Sequence, residues 1–170
     1  MISTFELALI LLAIQGAIGA FDVLYNHEWD AQLPARPTAY LELRIHSIRA
    51  VLYAILFSGI AWFNWLGLFV WLLALLILIE ILLTLWDFVV EDTTRRLSPL
   101  ERIVHTILAM NGGAYVALLL YEMYAHWIQQ PSALQFVDRG WMSVLLSVYA
   151  LGVFLSGVRD GHASYRLARA

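Results

Sequence analysis

The sequence contains no cysteine, which excludes disulfides, iron–sulfur clusters and thiolate zinc sites. Lysine is absent too, because all ten basic residues are arginine. Charged residues make up only 14% of the 170 positions, against about 25% in an ordinary globular domain. Too few polar side chains remain to cover a water-soluble surface, and a net charge of −3 offers no general attraction to nucleic acid. These absences exclude a soluble enzyme, a disordered chain and a nucleic-acid-binding protein.

Hydrophobic residues, by contrast, make up 62% of the chain. They form five runs, each close to the roughly 20 residues that a transmembrane helix needs. The predicted spans are Ile2–Phe21, Ile45–Phe63, Leu66–Phe88, Ile103–Tyr124 and Trp141–Val158. The sequence therefore predicts an all-α integral membrane protein in which residues 1–170 form one transmembrane domain.

The arginines are distributed unevenly between the two ends of these spans. Five crossings place Asp22–Arg44, Val89–Arg102 and Arg159–Ala170 at the same end, which we call the arginine-rich end because nine of the ten arginines lie on or near it. Only Arg139 belongs to the opposite end. Because positive residues favour the cytoplasmic side, we expect the arginine-rich end to be cytoplasmic. The expected location is a bacterial inner membrane, with the N-terminus outside and the C-terminus inside.

The rare polar residues recur in order, which predicts an internal repeat. Gln15, Gly19, Asp22 and Asn26 align with Glu80, Thr84, Asp87 and Glu91 at an offset of 65, and Glu42 and His46 align with Glu101 and His105 at an offset of 59. Repeat 1 covers about residues 2–63, and repeat 2 covers about 66–124. Both units run in the same direction, so they would be parallel repeats around an axis along the membrane normal. We predict a pseudo-two-fold four-helix bundle, with an extra helix at about 141–158 packed outside it.

Helix periodicity brings these polar residues to one depth. Residues four and seven positions apart share a helix face, and each cluster lies at the arginine-rich end of its helix. Ionisable groups at such a depth are expensive unless they are paired, ligated or hydrated. Oxygen and imidazole ligands without thiolate suit Fe, Mn or Zn, and two divalent cations would offset the repulsion among the carboxylates. The predicted metal ligands are Asp22, Glu42, His46, Asp87, Glu91, Glu101 and His105, with His27, Glu28 and His162 as further candidates.

The order of these residues resembles the ferritin-like di-iron carboxylate proteins, whose helices contribute a Glu, a Glu-x-x-His, a Glu and a Glu-x-x-His in turn. Here Asp22, Glu42-x3-His46, Asp87 or Glu91, and Glu101-x3-His105 follow that order over about residues 15–112. The Glu–His spacing is one residue longer than in the family, and the first carboxylate is Asp. The resemblance implies a four-helix bundle that holds two metal ions, with iron favoured and Mn or Zn as alternatives.

Several of these residues also have structural interpretations. Ser98-Pro99-Leu100-Glu101 reads as a capping box, with Ser98 as the N-cap. Glu80 lies two turns deeper than Asp87 and could pair with Arg49, whereas Tyr53 could pack in the core or lie beside the site. We therefore treat Arg49, Tyr53 and Glu80 as candidates for residues that surround the metal ligands.

Three functions follow from different interpretations of the polar cluster. The favoured one is an oxidoreductase with a dinuclear site, acting on a quinol or another lipid-soluble substrate, with a membrane zinc hydrolase as a variant. The second is a heme b electron carrier, with His46 and His105 as the two axial ligands. The third is a divalent-metal transporter, because parallel repeats and buried acids suit ion passage. The lipid bilayer is the one partner that the sequence requires.

Overall fold

The computed structural model describes residues 2–169, and five long helices dominate it. Each helix is long and apolar enough to cross a membrane, which confirms the prediction of five helices of that length and composition. The elements in chain order are α1 (Thr4–Phe21), α2 (Tyr40–Trp62), β1 (Phe63–Leu66), α3 (Phe69–Thr94), α4 (Pro99–Glu122), β2 (Ala133–Phe136) and α5 (Trp141–Leu167).

At the arginine-rich end, the helices continue well beyond the predicted apolar runs. A π-helical segment, Asp22–Asp30, prolongs α1, and α3 and α5 extend to Thr94 and Leu167. A prediction from hydropathy ends each span at the point where polar residues begin. In the structure those polar residues bind one another across the helices, so the backbone stays helical through them. The extra turns of α1 and α3 carry Asp22, His27 and Glu91 of the candidate site.

At the opposite end, a two-stranded sheet and a short π-helical segment add to the helices that the sequence predicts. β1 pairs antiparallel with β2, and a short π-helical segment, Met123–Trp127, prolongs α4. Arg139 donates a 2.8 Å hydrogen bond to Asn64 Oδ1. The backbone groups of β1 and β2 bind each other. This pairing could not be predicted from either segment alone.

The five helices share an apolar core to which each of them contributes a buried leucine. Leu12, Leu56, Leu73, Leu119 and Leu146 are each at most 2% exposed. The outward faces are apolar as well, and Trp71 and Met110 are 63% and 72% exposed. A helix that is apolar all round is typical of a membrane span. Five such helices are consistent with an integral membrane protein.

The fifth helix is held along its whole length by α2, more firmly than the prediction of a helix outside the bundle suggests. Near one end Ser143 Oγ donates to the Ala61 carbonyl, and near the other Ser164 Oγ donates to the Tyr40 carbonyl, both at 2.6 Å. Between them, a Cβ at Gly157 would lie 2.6 Å from the Cβ of Ala50. The close approach of α2 and α5 therefore requires glycine at position 157.

Candidate metal centre

The first π-helical segment determines which residues of α1 face the other helices. In an α-helix, Asp22 and His27 would be separated by about 140° around the axis. The i→i+5 pattern, visible in the 2.8 Å bond from Ala31 N to Asn26 O, widens each turn and moves residues five apart toward one face. Asp22, Asn26 and His27 are consequently all buried, at 5%, 0% and 7% exposure. Local π-helical geometry is often found at functional sites.

Two histidine–aspartate pairs each join two of the first four helices. His46 Nε2 lies 3.0 Å from Asp87 Oδ2, which joins α2 to α3. His105 Nε2 lies 3.2 Å from Asp22 Oδ2, which joins α4 to the extension of α1. His27 lies between the two pairs, because its ring stacks on His46 at 4.7 Å and meets His105 edge-on at 6.0 Å. Three imidazoles therefore share one buried space.

Arg95, the residue directly after α3, binds two of the predicted ligands. Its guanidinium donates to Glu42 at 2.8 and 3.0 Å and to Glu101 at 2.6 and 2.8 Å. Both carboxylates are at most 1% exposed. Burial alone would lower the pKa of Arg95, but the hydrogen bonds to Glu101 and Glu42 outweigh burial and hold that pKa above its ordinary value. Arg95 is therefore a permanent cation that fixes these two carboxylates beside each other.

The capping interpretation of Glu101 is half right. Ser98 Oγ accepts a 3.2 Å hydrogen bond from the Glu101 amide, as the side chain of an N-cap residue does. The Glu101 side chain binds Arg95, whereas in a capping box it would return to the Ser98 amide. Ser98 therefore sets the start of α4, and the Glu101 carboxylate remains available to the cluster.

Glu91 stands at the centre of the cluster without a hydrogen bond to either carboxylate oxygen. It is 1% exposed, and its nearest partners are His105 Nδ1 at 3.4 Å and Arg95 Nη2 at 3.5 Å. Buried polar atoms are normally satisfied, yet several ligand-type atoms here have no hydrogen-bond partner within residues 2–169. These atoms are His27 Nε2, Asp87 Oδ1, Glu91 Oε1, Glu91 Oε2 and His105 Nδ1.

Three of these side chains combine with Glu42, His46 and Glu101 into two overlapping groups of possible metal ligands. His27, Glu91, Glu101 and His105 each offer a ligand atom within 4.8 Å of the others, and so do Glu42, His46 and Glu91. Nitrogen and oxygen ligands lie about 2.0–2.2 Å from a transition metal such as zinc, so two ligands of one ion are at most about 4.4 Å apart. Each group could therefore close around one ion with small side-chain movements. Glu91 belongs to both groups.

The charges of the cluster do not balance by themselves. Six buried carboxylates, those of Asp22, Glu42, Glu80, Asp87, Glu91 and Glu101, face the guanidiniums of Arg49 and Arg95. With neutral histidines four negative charges remain in excess, and with His46 and His105 protonated beside their aspartates two remain. Uncompensated charge is very costly away from water, and bound cations would offset it.

A second polar layer lies deeper in the bundle. Arg49 donates to Asp87 at 2.6 Å and to Glu80 at 3.3 Å, and Thr84 donates to Glu80 at 2.7 Å. Between α1 and α4, Asn111 donates to Gln15 at 2.7 Å. Asp87 thus connects the histidine layer to an ion pair below it. The side chain of Tyr53 lies in this layer, beside Glu80 and Arg49.

The structure brings together all seven predicted ligands and adds His27, which the sequence gave only as a candidate. Two other candidates lie elsewhere: Glu28 is 2.8 Å from Arg159, and His162 is exposed on α5. Sequence reasoning missed Arg95 as a member of the cluster. Its position three residues before the Ser98 N-cap was the available signal, because a residue there must lie beside the first turn of α4.

The fold and the cluster define a class: an all-helical chain with five membrane-length helices and a buried carboxylate–histidine centre at one end. Comparison with protein-family models, with curated proteins and with solved structures gave no match. The residues themselves are therefore the basis for any functional assignment.

Proposed function

We propose that this chain is an integral membrane metalloprotein with a dinuclear site, and that it acts as an oxidoreductase on a lipid-soluble substrate such as a quinol. The observation that carries the proposal is the set of buried imidazole and carboxylate atoms without hydrogen-bond partners, centred on Glu91. A purely structural ion-pair cluster would use these atoms in hydrogen bonds, because each buried polar atom that is left without a partner costs about 1–3 kcal/mol. Metal coordination uses the same lone pairs.

The proposed ligands divide into two sets that share Glu91. One ion would be held by His27, Glu91, Glu101 and His105, and the other by Glu42, His46 and Glu91. This arrangement differs from the sequence prediction in the role of Asp22 and Asp87, which belong to neither set. Asp22 is the hydrogen-bond partner of Nε2 of His105. The other ring nitrogen of His105, Nδ1, faces Glu91. A carboxylate that orients the far nitrogen of a metal-bound histidine is a recurrent arrangement.

We further propose that the four-helix part is the predicted pseudo-two-fold repeat. The symmetry would exchange α1 with α3 and α2 with α4. It would therefore convert the Asp22–His105 pair into the Asp87–His46 pair, and both pairs occur at similar distances, 3.2 and 3.0 Å. The halves differ where Asn26 and Glu91 correspond, since only Glu91 carries a charge. The repeat would thus supply two similar ligand sets and a single bridging carboxylate.

Iron is the favoured metal because carboxylate and imidazole ligands suit it, and two bound iron ions would supply two-electron redox chemistry. The chain's own residues have separable tasks. Arg95 holds Glu42 and Glu101 together, and Asp22 and Asp87 orient the imidazoles of His105 and His46. The apolar core excludes water from below.

The two alternative functions fit the geometry less well. A heme between His46 and His105 would need a flat apolar space, but the ring of His27 stacks directly on His46 at 4.7 Å. Passage of a metal ion through the bundle would need polar groups between Glu80 and the opposite end. Buried apolar side chains, including Leu12, Leu56 and Leu73, fill that space.

Metal analysis of the purified protein tests the proposal. We expect two equivalents of metal per chain in the wild type and a clear loss in Glu101→Ala and His105→Ala, whereas His162→Ala, an exposed histidine on α5, should match the wild type. Iron that is reduced by dithionite and reoxidised by oxygen or a soluble quinone would support an oxidoreductase, and zinc would indicate the hydrolase. No stoichiometric metal in the wild type, or full retention in both ligand variants, would refute the dinuclear site.

A further inference from the structure

The metal centre is reached from the side, through a groove between the end of α3 and the start of α4. The groove has a volume of about 1150 Å³, and Glu91 and His105 are among the residues that line it. The side chain of His105 is 12% exposed, against 8% and 9% for His27 and His46. His105 is therefore the imidazole of the centre that is most accessible from this groove.

The walls of the groove suit an alkyl chain. Phe88 and Val89 on α3 face Ala109 and Met110 on α4. Val89 and Met110 are 61% and 72% exposed, so in a bilayer these walls would lie open to lipid. Both walls therefore present apolar side chains of the kind that an alkyl chain contacts.

The mouth of the groove, unlike its apolar walls, is lined by charged side chains. Arg96 and Arg102 line it and also line an adjoining depression. Neither arginine forms an ion pair with any residue between 2 and 169, in contrast to Arg95 a single position away. Asp92 lines the same mouth, so two free guanidiniums face one carboxylate. Guanidinium groups bind planar carboxylates through paired hydrogen bonds.

The spacing along α4 relates the mouth to the metal centre. His105 lies three residues beyond Arg102, a rise of about 4.5 Å, and Met110 lies eight residues beyond it, a rise of about 12 Å. A molecule whose head binds at Arg102 would therefore place its first few carbons beside His105. Its tail would continue along Met110 toward the middle of the bilayer.

We propose that this groove binds a long-chain carboxylate, with the head held by Arg96 and Arg102 and the chain between α3 and α4. Its role as the substrate rests on the proposed metal function, but its binding does not depend on that function. The proposal narrows the substrate class from any lipid-soluble molecule to a single-chain anionic amphiphile. The atoms that meet the metal centre are those closest to the carboxylate.

The binding test uses cis-parinarate, a fluorescent long-chain carboxylate, and its methyl ester, with the full-length protein in phosphatidylcholine nanodiscs. We expect the Arg96→Gln/Arg102→Gln double variant to weaken parinarate binding about tenfold, because charged hydrogen bonds are lost, and to leave ester binding unchanged. Ala109→Trp should abolish binding of both probes. Arg36→Gln/Arg44→Gln and Ala117→Trp, which change residues outside the groove, serve as matched controls.

Three results would overturn the groove proposal: equal affinity for parinarate and ester in the wild type, full binding by Ala109→Trp, or displacement of parinarate by dodecyl phosphate but not by laurate. Metal content is measured on the same samples. Parinarate binding without metal would refute the dinuclear site and preserve the groove. Two equivalents of metal without selective parinarate binding would refute the groove proposal and preserve the dinuclear site.

Discussion

On the proposed dinuclear site, replacing Glu91 with Gln should abolish most of the stabilisation that bound metal would give. Glu91 is common to both candidate ligand groups, so its loss would remove a ligand from each proposed ion. Both of its oxygens lack hydrogen-bond partners, so in the metal-free protein the substitution affects only the longer ion-pair contacts to His105 and Arg95. The effect should consequently appear in the metal-loaded protein and be small after chelation.

The magnitude follows from binding linkage. Free metal at about 1,000 times its dissociation constant stabilises a protein by about 4 kcal/mol per site, or about 8 kcal/mol for two sites. Substitutions of residues that merely orient metal ligands weaken binding by about 10- to 100-fold. A 100-fold loss at both sites leaves about 1.4 kcal/mol each. The difference of about 5 kcal/mol corresponds to about 10–20 °C in melting temperature for a chain of this length.

The assay compares thermal unfolding of metal-loaded and chelated protein in detergent. The seven tryptophans provide the fluorescence signal, and metal content is measured in parallel. Asp92→Asn is the matched control, because it removes one carboxylate from the adjacent, exposed position. The reasoning fails if Glu91→Gln still holds two equivalents of metal, or if chelation leaves the melting temperature of the wild type unchanged.

Three further predictions concern stability and orientation. Arg95→Gln should lower the free energy of unfolding of the chelated protein by about 3–5 kcal/mol, because it leaves Glu42 and Glu101 buried without their cation; chemical denaturation would measure this, and the exposed Arg44→Gln should cost under about 0.5 kcal/mol. Gly157→Leu should force α5 away from α2 and cost at least about 1–3 kcal/mol through overpacking, visible as a lower melting temperature. Alkaline phosphatase fused to the C-terminus should be inactive and green fluorescent protein fluorescent there, whereas the reverse pattern would contradict a cytoplasmic arginine-rich end.

By itself, the sequence determined the number of helices and the end of the bundle at which the polar residues gather. Both depend on local properties: five apolar runs of membrane-spanning length, and polar residues that recur at the same end of successive spans. The recurrence of Asp22 with Asp87, and of His46 with His105, also predicted which residue types would meet. Side-chain contacts between helices could not be predicted in this way.

Only the tertiary structure decided the roles within the cluster. His27 joined the site because Asp22–Asp30 is π-helical, and no α-helical periodicity places residues five apart on one face. Arg95 entered because the chain turns between α3 and α4, which brings its guanidinium within 3.0 Å of Glu42, 53 positions away in the sequence. Asp22 and Asp87 became partners of histidines because crossing helices set those distances. Helix periodicity fixes the direction in which a side chain leaves its own helix. Contacts between side chains also depend on the distance between the helix axes, which packing alone determines.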